Sequence, residues 1–266
     1  MKIGLRISVA TARGARDCVP RLLSLLARRG ASATFYFNLG PARLHRWLPA
    51  REVGARASAA LHSVRDAGHE LGLHGWDPVR WRNLAASDAL PWVETAMRRA
   101  CDAFERLAGE PARTHAAPCW RTGRRALRLT QACGFDYASD VRGSDPFMPV
   151  CDAELVLCPQ LPTTLPSFDE LVAAGGNAAE RGLAAAEPAR DTGHVFAVTA
   201  ESVNATLEPA LEQLLQGWSS RGDELVSMRA LFESLDLRRL PRCTLETGGA
   251  TGNVDAPAAQ GRPFLE

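Results

Sequence analysis

The chain has 266 residues, 46% hydrophobic and 23% charged, enough apolar material for one large core or two small ones and a composition that excludes a coiled coil, a collagen or a disordered polymer. Thirty-one basic against thirty acidic side chains leave a formal charge of +1, so no global field recruits nucleic acid or an anionic membrane. The seven cysteines show no C-x-x-C spacing, which speaks against a zinc ribbon or disulfide framework and for a reducing, cytoplasmic setting.

In chain order, Ile3 to Val9 reads as a strand and Val19 to Ala27 as a helix with Leu22, Leu23, Leu25 and Leu26 on one face. Ala33 to Phe37 is a second strand, residues 58 to 67 a short helix, and Glu70 to His74 a third strand entered through Gly68. Ser87 to Leu107 has helical period behind a serine cap, with Leu90, Val93, Met97, Cys101 and Phe104 along one side. Ala116 to Trp120 is expected as an irregular fourth strand, Ala126 to Ala132 as a helix stopped by Gly134, and Tyr137 to Val141 as another strand. Leu155 to Pro159 and Val195 to Thr199 complete about seven strands, with helical text at 167 to 187, Leu207 to Trp218 and Met228 to Leu235. Alternating strands and helices of this kind predict an α/β fold with a parallel sheet or barrel in one domain spanning residues 1–243. The Gly- and Ala-rich text of residues 244–266 predicts a flexible tail. No window approaches the ~20 apolar residues of a membrane span, and Arg6 interrupts the opening MKIGLRISVA, so neither a spanning helix nor a signal peptide is expected.

Sites in such folds are built at the carboxyl ends of strands. His74 stands there, inside GHELGLHGWDPVRW, as a metal ligand, an acid-base group or a buried structural histidine. Asp77 and Trp76 follow it in the same loop. Arg121 after Trp120, Asp140 with Arg142 in YASDVRGSDPF, and Glu201 beyond Thr199 occupy other strand ends. Each alone is as well explained by a structural ion pair, but together they predict a pocket. Cys119 near His115 is a weaker thiol-imidazole candidate. His69, at the opposite end of its strand, is expected to be structural. No dinucleotide fingerprint, P-loop or nucleophile elbow is present.

The blocks KIGLRISVATARGARDCVPRLLSLL, HELGLHGWD, AAPCWR, YASDVRG and LPTTLPSFDE resemble, in this order, the polysaccharide deacetylase (NodB-homology) superfamily, and within it most of all the deformylases of lipid-linked formamido-arabinose that act in lipid A modification. The resemblance implies a distorted, incomplete (β/α) barrel of the polysaccharide deacetylase type. It also implies metal-dependent hydrolysis of amides or esters, in which an aspartate is the base, an Asp and two His hold a divalent cation such as zinc, and a late histidine is the acid. The family's two first-strand aspartates fall here on Ser8 and Ala10. The first ligand histidine falls on His74, its partner on Pro78, and the acid histidine on Thr199. His74, Asp77, Arg121, Asp140, Arg142 and Glu201 remain.

With those ligands incomplete, the expectation is no bound cofactor and lost or severely reduced deacylation. His74, Asp77, Arg121, Asp140 and Arg142 are then the catalytic-type remnants, and Trp76, Trp120 and Glu201 contact the ligand. The expected ligand is an aminosugar or a lipid-linked sugar, with a partner enzyme to regulate as the other role. Nucleic acid is not expected as a partner, and contact with the inner membrane is peripheral at most. The alternatives are an amide or ester hydrolase rebuilt around His74, Asp77, His115 or Cys119, and an enzyme of another class that orients substrate with Arg121, Asp140 and Arg142 without metal.

Overall fold

The computed structural model describes residues 1–42, 51–52, 54–85, 91–187, 190–247 and 256–264. These form two compact units. The first holds Met1–Tyr36, Arg56–Leu71 and Thr163–Leu235; the second holds Phe37–Ala55, Gly72–Pro162 and Asp236–Glu266.

In the first unit the strand Lys2–Val9 is buried from Ile3 onward. Burial of successive residues, Arg6 and Ser8 included, marks a parallel strand covered on both faces. It pairs in parallel with His194–Thr199, from Ile3 opposite His194 to Ser8 opposite Thr199, and with Glu224–Val226. The helix Val19–Arg29 buries Val19, Leu22, Leu25 and Leu26, and Gly30 closes it at φ +59°, a conformation that costs glycine little. Phe196 meets Trp218, from the helix Glu208–Ser220, edge to face at 5.0 Å. His69 is structural here: its Nδ1 accepts from the Ala33 N–H, its ring lies 5.5 Å from Phe35, and burial lowers its pKa.

The second unit continues the parallel pattern. His74 N donates to Phe37 O, Leu73 of the strand Glu70–Leu73 stands opposite His115, and the strand Thr114–His115 pairs in turn with Tyr137–Ala138. The helix Pro91–Ala108 buries Val93, Ala96, Met97, Ala100 and Phe104, the face read from the sequence; the expected Ser87 cap lies outside the described residues.

The structure departs from the sequence reading at several places. The fourth strand is Thr114–His115 rather than Ala116–Trp120, because Pro118 opens a 3-10 turn and Cys119 and Trp120 both adopt φ +53°. Asp77 starts a helix, Pro78–Leu84, inside text read as a loop. A four-stranded sheet of Ala259–Pro263, Arg242–Glu246, Met148–Cys151 and Glu154–Leu155 was not expected, and of the predicted strand Leu155 to Pro159 only Leu155 belongs to it. Residues 256–264 are therefore not a tail. Their backbone pairs antiparallel with Arg242–Glu246, and Ala258 packs with Val141, Phe147 and Cys243. Ladder hydrogen bonds order what apolar content alone could not.

Candidate functional site

His74 follows the strand Glu70–Leu73 and is 5% exposed. Its Nδ1 donates to Ala116 O at 2.6 Å, which fixes the tautomer and leaves Nε2 as its remaining basic atom. Gly75 turns the chain at φ +102°, and a Cβ on Gly40 would lie 1.8 Å from Trp76 O, so these glycines let the loop fold tightly over its neighbour. Trp76 is half-buried. With Arg99, Asp102, Glu105 and Arg106 it lines an open cavity of about 450 Å³.

Asp77, expected in a catalytic role, caps the helix Pro78–Leu84: its Oδ1 accepts from Arg80 N at 2.9 Å, and Pro78 takes the first helical position, where a missing N–H costs nothing. The helix start that suits proline is the place where the resemblance expects an imidazole.

Trp120 is half-buried, and the Arg142 guanidinium lies 4.7 Å over its ring. Arg121, also expected as catalytic, is committed to its own chain. Nε donates to Arg82 O at 3.1 Å, on the last turn of the helix Pro78–Leu84, and NH1 to Ala256 O at 2.8 Å, while its own carbonyl accepts from Trp81 Nε1 at 2.8 Å. Replacing Arg121 by methionine is expected to cost about 1–3 kcal/mol, the range for unmade buried hydrogen bonds, and to release residues 256–264 for proteolysis. Urea unfolding and limited trypsin digestion would check both effects.

Asp140 is 1% exposed and pairs with His115, not with Arg142. Its Oδ1 accepts from His115 Nδ1 at 2.7 Å and from Ala117 N at 2.8 Å, and its N–H donates to Gln160 Oε1. Asp140 Oδ2 and His115 Nε2 are buried with no hydrogen-bond partner among the described residues. Arg142 bonds through its backbone to Ala258 and Gln260. The sequence reading places His115 beside Cys119 or in a hydrolase site rebuilt with His74 and Asp77, and does not pair it with Asp140. The signal it missed is that parallel neighbours place the ends of Thr114–His115 and Tyr137–Ala138 side by side.

In the first unit, Ser8 Oγ accepts from the buried guanidinium of Arg6 at 3.2 Å, and that guanidinium lies 5.7 Å from the Tyr36 ring. Glu201, expected to contact the ligand, holds the loop after the first strand through one oxygen: its Oε1 accepts from Ala10 N, Thr11 N and Thr11 Oγ1 at 2.8–3.0 Å.

A divalent ion of the family's kind does not fit these residues. Ser8 presents a hydroxyl that already accepts from a cation, Ala10 and Pro78 offer no side-chain donor, and His74 has its Nδ1 engaged by Ala116 O. Among the described residues no group of three or more His, Cys, Asp or Glu is placed to hold a metal, whereas such sites need three or four protein ligands. Among the same residues no helix is long and apolar enough to cross a membrane.

Residues 10–138 match the polysaccharide deacetylase family. The probable 4-deoxy-4-formamido-L-arabinose-phosphoundecaprenol deformylase ArnD of Shewanella sediminis (strain HAW-EB3) is 32% identical over 203 residues, which cover 64% of this chain and 65% of that protein. The chain thus spans less than two thirds of that relative's length. A putative polysaccharide deacetylase from Mycobacterium smegmatis superposes with a TM-score of 0.64 at 17% identity, over 98% of this chain and 95% of that one. A mutant CE4 family pseudoenzyme with restored enzymatic activity superposes with a TM-score of 0.59 at 12% identity, over 88% of this chain and 68% of that one. At these identities the structural likeness shows the fold: an α/β fold of the polysaccharide deacetylase type.

Proposed function

We propose that the chain, whose residues 10–138 match the polysaccharide deacetylase family, keeps that family's sugar recognition without its metal-dependent deacylation, binding an aminosugar or lipid-linked aminosugar. The observation that carries this reading is the donor set: a hydroxyl, a methyl group and a pyrrolidine stand where carboxylates and an imidazole are expected, and the surviving His74 is tied to Ala116 O. Stripping water from a dication is not offset by one imidazole. Binding is supported by the cavity beside Trp76. Its volume lies in the range of small-ligand sites, and it combines an indole face for a sugar ring with carboxylates and guanidinium forks for hydroxyls. The relative's name points to a formamido-arabinose as the sugar to try first.

The test uses the purified full chain. Metal content after dialysis is expected to be far below stoichiometric, 4-deoxy-4-formamido-L-arabinose is expected to release no formate with or without added zinc or cobalt, and the same sugar is expected to raise Tm. A ligand specific for the folded state stabilises it by mass action. Trp76→Ala is expected to abolish that rise. A stoichiometric divalent ion that survives dialysis and vanishes in His74→Ala, or formate release stopped by a chelator, would overturn the reading in favour of an active hydrolase.

A further inference from the structure

Three neighbouring parallel strands end at one level in the second unit. Leu73 stands opposite His115 and His115 opposite Ala138, so the residues that follow, His74, the pair Ala116–Ala117, and Asp140, meet just beyond those ends. The peptide group joining Ala116 to Ala117 lies between the two side chains. Its carbonyl accepts from His74 Nδ1 at 2.6 Å, and its N–H donates to Asp140 Oδ1 at 2.8 Å. The same Oδ1 accepts from His115 Nδ1 at 2.7 Å, and the Asp140 N–H is held by Gln160 Oε1 at 3.0 Å. His74, His115 and Asp140 are all buried, as are Ala116 and Ala117. Water therefore screens the carboxylate from this peptide only weakly.

The contacts run in one chain from imidazole to amide to carboxylate, with a second imidazole on the same oxygen. An amide that gives its N–H to an anion is polarised, and its carbonyl oxygen becomes the better acceptor. That oxygen can only accept, so the hydrogen of the 2.6 Å contact sits on His74 Nδ1. We propose that Asp140 is a positioning residue for His74, acting through the Ala116–Ala117 peptide. Its charge strengthens the bond from Nδ1–H to Ala116 O and so holds the ring in one orientation and one tautomer, with Nε2 as the accepting nitrogen. His115 draws on the same carboxylate oxygen and thereby weakens the pull on the peptide. The buried carboxylate thus has a task besides stability, performed at a residue it does not touch.

The test is nuclear magnetic resonance of the full chain carrying isotope-labelled histidine, with the His74 ring signals assigned by their loss in His74→Gln. In the wild type the hydrogen is expected on Nδ1, its resonance downfield of the backbone amides and its exchange with water slow. Asp140→Asn keeps the shape and an acceptor oxygen but removes the charge, so this resonance is expected to move upfield and its exchange to quicken. His115→Phe removes the competing donor and keeps an aromatic ring, so the same resonance is expected to move downfield. Opposite shifts in the two variants are not what a merely structural carboxylate produces. A wild-type His74 with its hydrogen on Nε2, a resonance unmoved in folded Asp140→Asn, or shifts of the same sign in both variants would overturn the proposal. Where Asp140→Asn fails to fold, His115→Phe decides alone: a downfield shift supports the proposal, and an upfield shift or none overturns it. No ligand enters these measurements, so their outcome leaves the sugar-binding reading untouched.

Discussion

Replacing Asp140 by alanine is expected to lower the stability of the protein by about 2–5 kcal/mol, the cost of breaking a buried charged or hydrogen-bonded pair by removing one partner. The carboxylate is the acceptor for His115 Nδ1 and Ala117 N, and both donors lie where water cannot replace it. The second replacement identifies the cause. His115→Phe in the Asp140→Ala background removes the stranded imidazole and puts an aromatic ring among Trp81 and Phe135, so the pair is expected to cost clearly less than the sum of the single changes. Urea unfolding of the four proteins measures the coupling. Strict additivity, or an Asp140→Ala cost below about 0.5 kcal/mol, the range of ordinary surface changes, would show that the carboxylate holds nothing up.

Trp81→Ala is expected to cost about 3–5 kcal/mol, the range for removing a large aromatic from a core. Its ring is fully buried, 5.7 Å from His115 and 6.3 Å from Trp92, and its Nε1–H donates to Arg121 O. Trp81→Phe keeps much of the volume and loses the donor. It is expected to cost about 1–3 kcal/mol, the price of a buried carbonyl left unpaired. Calorimetry on both variants separates packing from hydrogen bonding. Equal losses would mean that the indole N–H carries the whole effect.

The strands Lys2–Val9 and His194–Thr199 and the helices Val19–Arg29 and Pro91–Ala108 are legible in the sequence because each writes its own burial into a local period. Asp77–Pro78 is equally legible as a capped helix start, an aspartate cap followed by a proline at the first helical position. The sheet of Ala259–Pro263 and Arg242–Glu246 carries no such mark, since its order comes from backbone pairing between segments with little apolar content. At the candidate site, it is the family resemblance that sets Ser8, Ala10, Pro78 and Thr199 against other expected residue types. Where the remaining polar groups spend their hydrogen bonds it does not show. Arg121 turns to Arg82 and Ala256, Glu201 to Thr11, and Asp140 to His115, because the contacts that decide these choices join residues far apart in the chain.

The last described strand also decides where this polypeptide can be cut. Ending it at residue 243 would strip away the Ala256 carbonyl that receives Arg121, the Ala258 N–H that donates to Trp120 O, and the cover over Val141 and Phe147. The shortened molecule would present a raw apolar face and an unpaired strand edge, a template for clumping with its own copies. Poor yield or light scattering from such a fragment would then report on packing and carry no information about chemistry.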